Sequence, residues 1–394
     1  MFSTLLMLLI FAGWLYWLIA LLMVYDFFRS RTEPGSSFMP PVSILKPVKG
    51  VDFQAYQNFA SFCQQDYPDY EVIFGVADPA DPIIPVIERL RRDFPERHIR
   101  LIIAVTFGAN RKASLLHYLV SEAKHEVLVV SDSDMRVTPD YLKRVVAPLA
   151  DQQVGLVTCL YQSELPLNVT AGLEALHMGA TFLPSVIVAR KVINMRFAMG
   201  ATVALRRHDL TRLGDFAAIA DYLADDYQLG ARIAALGLKV HLSNYVIACV
   251  LGATTFREQW EREIRWMRCT HISRPLEYPG LLLSYSLPLS AVLAVVSHFE
   301  NASLRILVIS LFLRWLVALL ISVRTGDRQV RRWLLWLPAR DLLSAVTWCV
   351  GGLGRQITWR GESFALQADG RMQPIGDISG QPVADKLHRR FWWF

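Results

Sequence analysis

From Met1 to Tyr25 the chain carries no charged residue. At about 1.5 Å rise per residue, a helix of that length crosses a hydrocarbon core of about 30 Å. Residues 1–25 therefore predict a transmembrane anchor. A cleaved signal peptide would want a basic start, a shorter apolar core and a small-residue cleavage site, and none of these is evident. Further apolar stretches run from Gly280 to Phe299, from Ile306 to Val323 and, more weakly, from Trp333 to Leu353, which predicts a C-terminal membrane region over 280–354. Roughly 250 residues of globular composition lie between the first stretch and the second, enough for one catalytic domain with its own core.

Charge placement sets an expected orientation, because short loops rich in Lys and Arg stay cytoplasmic. Arg29 and Arg31 follow the first stretch, and Arg324, Arg328, Arg331 and Arg332 follow the third, whereas the link between the second and third holds no Lys or Arg before Arg305. The globular domain is expected to face the cytoplasm, from the inner membrane if the chain is bacterial. The net charge of +6 fits anionic lipid headgroups beside the spans better than nucleic acid. Five scattered cysteines without a C-x-x-C pair suggest neither a disulfide framework nor a zinc site.

From residue 41 to about 160, short β-rich runs alternate with helical patterns. Strands are expected at Val42–Leu45, Glu71–Val76, Leu101–Val105 and Val127–Val130, and helices at Gln54–Cys63, Ile83–Asp93 and Lys112–Ala123. That alternation predicts an α/β domain whose sheet is mostly parallel and whose ligands sit beyond the carboxyl ends of the strands. Further on, Thr202–Leu205 reads as a strand, and Ala224–Leu236 and the basic Phe256–Arg274 as helices. Leu165–Lys191 reads as an amphipathic segment lying against the membrane, and the residues from 355 to 394 as a polar, basic tail with Arg355, Arg360, Lys386, Arg389 and Arg390, ending in the aromatic run from Phe391 to Phe394.

Three constellations carry chemistry. Strand Val127–Val130 runs into Ser131-Asp132-Ser133-Asp134, and two carboxylates at this spacing offer hard oxygen ligands to Mg²⁺ or Mn²⁺, which can neutralise a departing diphosphate. The same residues also suit a solvated turn. Asp225-Asp226 opens a helix, where a carboxylate can accept a proton from an attacking hydroxyl or simply cap the helix. In Arg262-Glu263-Ile264-Arg265-Trp266 the two arginines stand three apart and are expected to share a face, where two guanidinium forks could grip a pyrophosphate. A basic interfacial helix accounts for them as well. At membrane depth, Arg314 is costly unless paired or turned to a cavity, and Arg340-Asp341 interrupts the fourth stretch, which suits a re-entrant or interfacial element.

Taken in order, Asp78, Asp132 with Asp134, Asp225-Asp226 and Arg262 to Trp266 resemble the pattern D, D-x-D, (E/D)-D, (Q/R)-x-x-R-W of the ceramide glucosyltransferase-like family of inverting lipid glycosyltransferases, which includes bacterial enzymes that glycosylate hopanoids. The resemblance covers roughly residues 41 to 290. It implies a GT-A nucleotide-sugar-binding domain, over 41–275, with transmembrane helices on either side. It also implies a UDP-sugar donor, a membrane lipid acceptor and a Mg²⁺ or Mn²⁺ cofactor. Asp78 would contact the uridine and Lys112 would approach the nucleotide. Asp132, with Asp134, would hold the metal and diphosphate, and Asp226 would be the catalytic base. Arg262, Arg265 and Trp266 would bind pyrophosphate and line the acceptor site. Arg262 stands where polymer-making relatives usually carry Gln, which tilts away from a processive polysaccharide synthase. That synthase and a polyprenyl-phosphate sugar transferase remain the alternatives.

Overall fold

The computed structural model describes residues 2–29, 38–192, 195–359 and 361–375. Arg31, Arg360, Lys386, Arg389, Arg390 and the aromatic run 391–394 lie outside the described residues. The chain begins with the apolar helix α1 (Phe2–Arg29). There follow β1 (Val42–Pro47), α2 (Ala55–Cys63), β2 (Tyr70–Val76), α3 (Ile84–Asp93), β3 (His98–Ile103), α4 (Arg111–Glu122), β4 (Val127–Val130), β5 (Met135–Arg136), α5 (Tyr141–Val146) and β6 (Val154–Pro166). Next are α6 (Val169–His177), α7 (Leu183–Val192), β7 (Val203–Arg206), α8 (Arg207–Arg212), α9 (Asp225–Ala235), β8 (Lys239–Gly252) and α10 (Phe256–Ser273). The chain then runs through α11 (Ser286–Val296), α12 (Asn301–Thr325), α13 (Arg328–Trp333), α14 (Leu337–Gly352), β9 (Gln356–Trp359), β10 (Glu362–Leu366) and β11 (Met372–Pro374).

Eight strands form one sheet in the order β3-β2-β1-β4-β7-β6-β8-β5. β1 pairs in parallel with β2 and β4, and β2 with β3; β7 then runs antiparallel to both β4 and β6, and β6 and β8 are parallel again. The apolar runs seen in the sequence are buried on both faces, as expected of parallel strands covered by helices: Val42, Ile44, Val127 and Val129 face one side, and Leu45, Leu128 and Val130 the other. β3 begins three residues before the expected Leu101, because His98–Ile103 pairs in register with Glu71–Val76. As an edge strand it is only partly covered, so its apolar run does not mark its start.

Among the described residues, four helical stretches are long and apolar enough to cross a membrane: Phe2–Arg29, Val169–Val192, Tyr278–Val296 and Asn301–Thr325. α1 buries Trp17, Ala20 and Val24 against Val186 of α7 and Val317 and Ile321 of α12. A Cβ on Gly13 would stand 2.8 Å from both the Leu283 carbonyl oxygen and Ser286 Cβ, so this small residue lets α1 approach the start of α11 closely. The stretch 165–191 departs from expectation. It forms α6, a π-helical turn (Met178–Phe182) and α7, and most of it is enclosed by the sheet and the apolar helices instead of lying on a surface.

Two further features belong to the C-terminal third. The fourth apolar stretch yields α14, whose 16 residues span about 24 Å, short of a bilayer core, and whose Arg340 and Asp341 are buried among protein groups. Beyond it, residues expected to be a polar tail fold as an antiparallel sheet β11-β10-β9, with Ile357, Phe364, Leu366 and Met372 packed on Leu223 and Ile272. Its alternation of apolar and polar residues is masked by the charge around it.

Candidate active site

The parallel half of the sheet delivers its loops to one edge, and there β4, α4 and α9 bring four charged side chains together. Lys112 lies in the first turn of α4. That turn is fixed by Asn110, whose Oδ1 accepts from the Ala113 N–H at 3.0 Å and whose Nδ2 donates to the Tyr222 carbonyl at 2.8 Å. The Lys112 ammonium stands 2.7 Å from Asp132 Oδ1 and 3.4 Å from Asp225 Oδ2. Burial works against that ammonium, but Asp132 and Asp225 outweigh it and hold its pKa above the usual lysine value.

Asp225 and Asp226 open α9, yet neither caps it, since Ala224 occupies that position. Asp226 instead accepts from the Gly200 N–H at 2.9 Å through Oδ2 and from the Tyr227 N–H at 2.7 Å through Oδ1. Burial and the neighbouring Asp225 push its pKa up to about 6, with Lys112 pulling the other way. Gly200 is a site residue that the sequence does not signal. A Cβ there would stand 3.2 Å from Asp132 Oδ2, 3.2 Å from Lys112 Nζ and 3.6 Å from Asp226 Oδ2, so its missing side chain leaves a cradle between the acids and the lysine.

Two more unforeseen residues hold the D-x-D turn from below. Lys46, at the end of β1, is wholly buried, lies 3.5 Å from the centre of the Phe62 ring and donates to the Asp132 carbonyl at 2.9 Å. Burial brings its pKa down to about 7 against the pull of Asp132 and Asp134. Ser133 Oγ donates to Asp52 at 2.5 Å. Asp134 turns toward β8, where Cys249 Sγ approaches its Oδ2 at 3.6 Å, and burial, Asp132 and Asp52 push its pKa up to about 7.

The remaining expected residues are placed separately. Asp78 is exposed on the turn after β2, where its Oδ1 accepts from the Ala80 N–H at 2.8 Å. On α10, fixed at its start by a Thr255–Glu258 capping box, Arg262 donates to Glu174 Oε2 on α6 at 2.5 Å. Arg265 instead lies 5.7 Å from the Trp359 ring on β9, and Trp266 stacks over His177 at 6.4 Å. The two arginines therefore do not act as one fork. An offset of about 60° around the helix is enough for their long side chains to reach partners on different elements.

Among the described residues no cluster of three or more His, Cys, Asp or Glu side chains is arranged to hold a metal by itself. The donor set still suits a hard dication that takes few protein ligands and completes its shell with water and phosphate oxygens: Asp132 Oδ2 borders the Gly200 cradle, and Asp134 stands two residues on.

Similarity to known proteins extends over most of the chain. Ceramide glucosyltransferase 3 of Caenorhabditis elegans is 23% identical over 356 residues, covering 86% of this chain and 75% of that protein. Ceramide glucosyltransferase 1 of the same organism is 22% identical over 400 residues, covering 96% of this chain and 83% of that protein. Among solved structures, a mannosyltransferase from Pyrobaculum calidifontis in complex with GDP-mannose and Mn²⁺ superposes with a TM-score of 0.54 at 18% identity, over 90% of this chain and 99% of that one. This likeness is one of fold, the GT-A arrangement of a mixed, mostly parallel sheet with flanking helices. With the family model for glycosyl transferase family 21 matching residues 5–372, the chain belongs to that family, as a GT-A domain joined to transmembrane helices.

Proposed function

We propose that this protein transfers a hexose or N-acetylhexosamine from a UDP-sugar to the hydroxyl of a membrane lipid, a ceramide or a hopanoid polyol, with inversion at the sugar C1. The observation that carries the reading is Asp226: a carboxylate with a pKa near 6, held by the Gly200 N–H across a cradle from the Lys112–Asp132 pair. Ionised at neutral pH and only partly exposed, it suits proton abstraction from an alcohol, a contribution of roughly 10² to 10⁴ in rate. The relatives named ceramide glucosyltransferase support a lipid acceptor.

In the reaction, the lipid hydroxyl oxygen forms a bond to C1 as the bond from C1 to the diphosphate oxygen breaks. The hydroxyl proton passes to Asp226, and UDP leaves. Lys112 neutralises charge on the Asp132 side of the cradle before and during departure. Asp132 and Asp134 would hold Mg²⁺ or Mn²⁺, which supplies positive charge to the diphosphate. Asp78 is assigned to the uridine, and Arg265 and Trp266 to the acceptor side. The catalytic domain, over 41–275, faces the cytoplasm in this reading, as the flanking arginines suggest.

The test is direct. Membranes containing the protein are given labelled UDP-glucose or UDP-N-acetylglucosamine with ceramide or a hopanoid polyol, and products are identified by mass spectrometry. A β-linked glycolipid that disappears in Asp226→Asn is the expected result. A labelled polymer, an acid-labile polyprenyl product, or full activity in the variant overturns the reading.

A further inference from the structure

Three ion pairs, buried except on the Arg262 side, run through the junction between the catalytic domain and the apolar helices. Glu174 on α6 meets Arg262 on α10 at 2.5 Å. Glu263, the next residue on α10, takes both arms of Arg340 on α14, at 2.5 Å and 2.7 Å. Arg314 on α12 pairs with Asp341 on α14 at 2.8 Å and 3.1 Å, donates to Thr181 at 2.9 Å and lies 3.9 Å from the Trp17 ring of α1. Glu174, Glu263, Arg314, Arg340 and Asp341 are all buried. The arrangement is also neutral as a whole, with each cation matched by an anion.

Such a set is a poor device for stability. Desolvating each ion costs several kcal/mol, and well-packed apolar residues of similar volume commonly do as well or better. What ion pairs add is direction, because a bidentate Arg–carboxylate contact fixes both distance and orientation. Here every pair joins two different elements, and two of the three end on consecutive residues of α10. Arg262 faces α6 and Glu263 faces α14, so the rotation of α10 about its axis is fixed from two sides. Arg265 and Trp266, one turn further along, inherit that rotation.

We propose that Glu174 and Arg340 are positioning residues for sugar transfer: through Arg262 and Glu263 they set the rotation of α10, and so place Arg265 and Trp266 against the acceptor. Arg262 is then a positioning residue too, committed to Glu174 and to Thr254 Oγ1 at 3.4 Å, and does not grip the pyrophosphate. The inference rests on the function proposed above.

The test compares wild type with Arg340→Met, the apolar double variant Glu263→Met/Arg340→Met, and Glu174→Gln, each as full-length protein in membranes. UDP binding counts folded sites, and kcat per site and KM for the UDP-sugar are measured. A displacement of reacting groups on the order of 1 Å costs about 10²-fold in rate. The double variant, which leaves no unpaired buried charge, is expected to bind UDP as wild type does and keep donor KM within about twofold, while kcat per site falls about 10- to 100-fold. Glu174→Gln keeps a hydrogen bond to Arg262 and is expected to lose less than Arg340→Met. Wild-type kcat per folded site in the double variant and in Glu174→Gln would overturn the inference, as would a loss that appears only in donor KM. Failure of the proposed function itself would show differently, as wild-type membranes that make no glycolipid.

Discussion

Lys112 Nζ lies 2.7 Å from Asp132 Oδ1, which ties the first turn of α4 to the D-x-D turn after β4. The same ammonium is within 3.4 Å of Asp225, so it is shared by two acids from different elements. Lys112→Met should leave Asp132, Asp225 and Asp226 facing one another uncompensated. Transfer efficiency, read as kcat/KM, is expected to fall about a hundredfold or more, with Asp226 titrating at higher pH than before. Steady-state kinetics across pH would check both parts.

As the proposed base, Asp226 predicts a pH signature for transfer. A base must be ionised to act, and burial and Asp225 set this carboxyl at about 6. The ratio kcat/KM, which reports the free enzyme, is therefore expected to be flat above about pH 7 and to fall about tenfold per unit below about pH 6. The sign for stability is opposite to that of a salt-bridged acid. Because the folded pKa lies above the usual 3.8, the folded state binds the proton more tightly, and the stabilisation present at low pH is lost as pH rises through about 6. Asp226→Asn should abolish transfer while raising the thermal midpoint at about pH 8 relative to wild type.

Gly200 tests the cradle without changing any charge. Its backbone imposes no left-handed conformation, so alanine is tolerated locally, but the new Cβ would sit 3.2 Å from both Asp132 Oδ2 and Lys112 Nζ. Gly200→Ala should reduce kcat/KM at least about tenfold while shifting the thermal midpoint little. A calorimetric scan beside the rate measurement separates the two effects.

The small C-terminal sheet should matter to the fold. Phe364 is 3% exposed and shares its cluster with Ile272 of α10 and Leu223, which precedes α9. Truncation of a buried phenylalanine costs about 3–5 kcal/mol. Phe364→Ala is expected to lower the temperature at which donor binding is lost by several degrees, as read by thermal shift with and without UDP.

What the sequence exposes of all this depends on where each signal is carried. Val127–Val130 is legible because a strand covered on both faces is apolar at every position, and the acids that follow stand out against that run. β8 is not legible in this way. Its 14 residues include Ser243 and Asn244, and its pairing with β6 is interrupted by irregular register, so it shows no clean period. α6 and α7 are recognisable as helical and apolar, but what covers them is far away in the chain: α1 and α12 for α7, and α12, α13 and α14 for α6. Asp132 and Asp226 stand out by type and context. Gly200 does not, since its role is only a distance to side chains on other elements, and Lys46 acts through a carbonyl that any residue could supply.

The close seat of α1 against α7, α11 and α12 has a consequence for biogenesis. Ribosomal synthesis completes α1 at residue 29, whereas its neighbours α11 and α12 begin only at Ser286 and Asn301. At about 5–20 residues per second, the helix waits roughly 15 to 50 seconds for them. During that interval α7 is already available to part of the face bearing Trp17, Ala20 and Val24, but the part that meets Val317 and Ile321 of α12 has only lipid or an insertion chaperone to cover it, while the eight-stranded sheet forms beside the bilayer on a tether. Assembly of the bundle is then the closing of a loop from both ends of the chain, with a nascent sheet already folded between them.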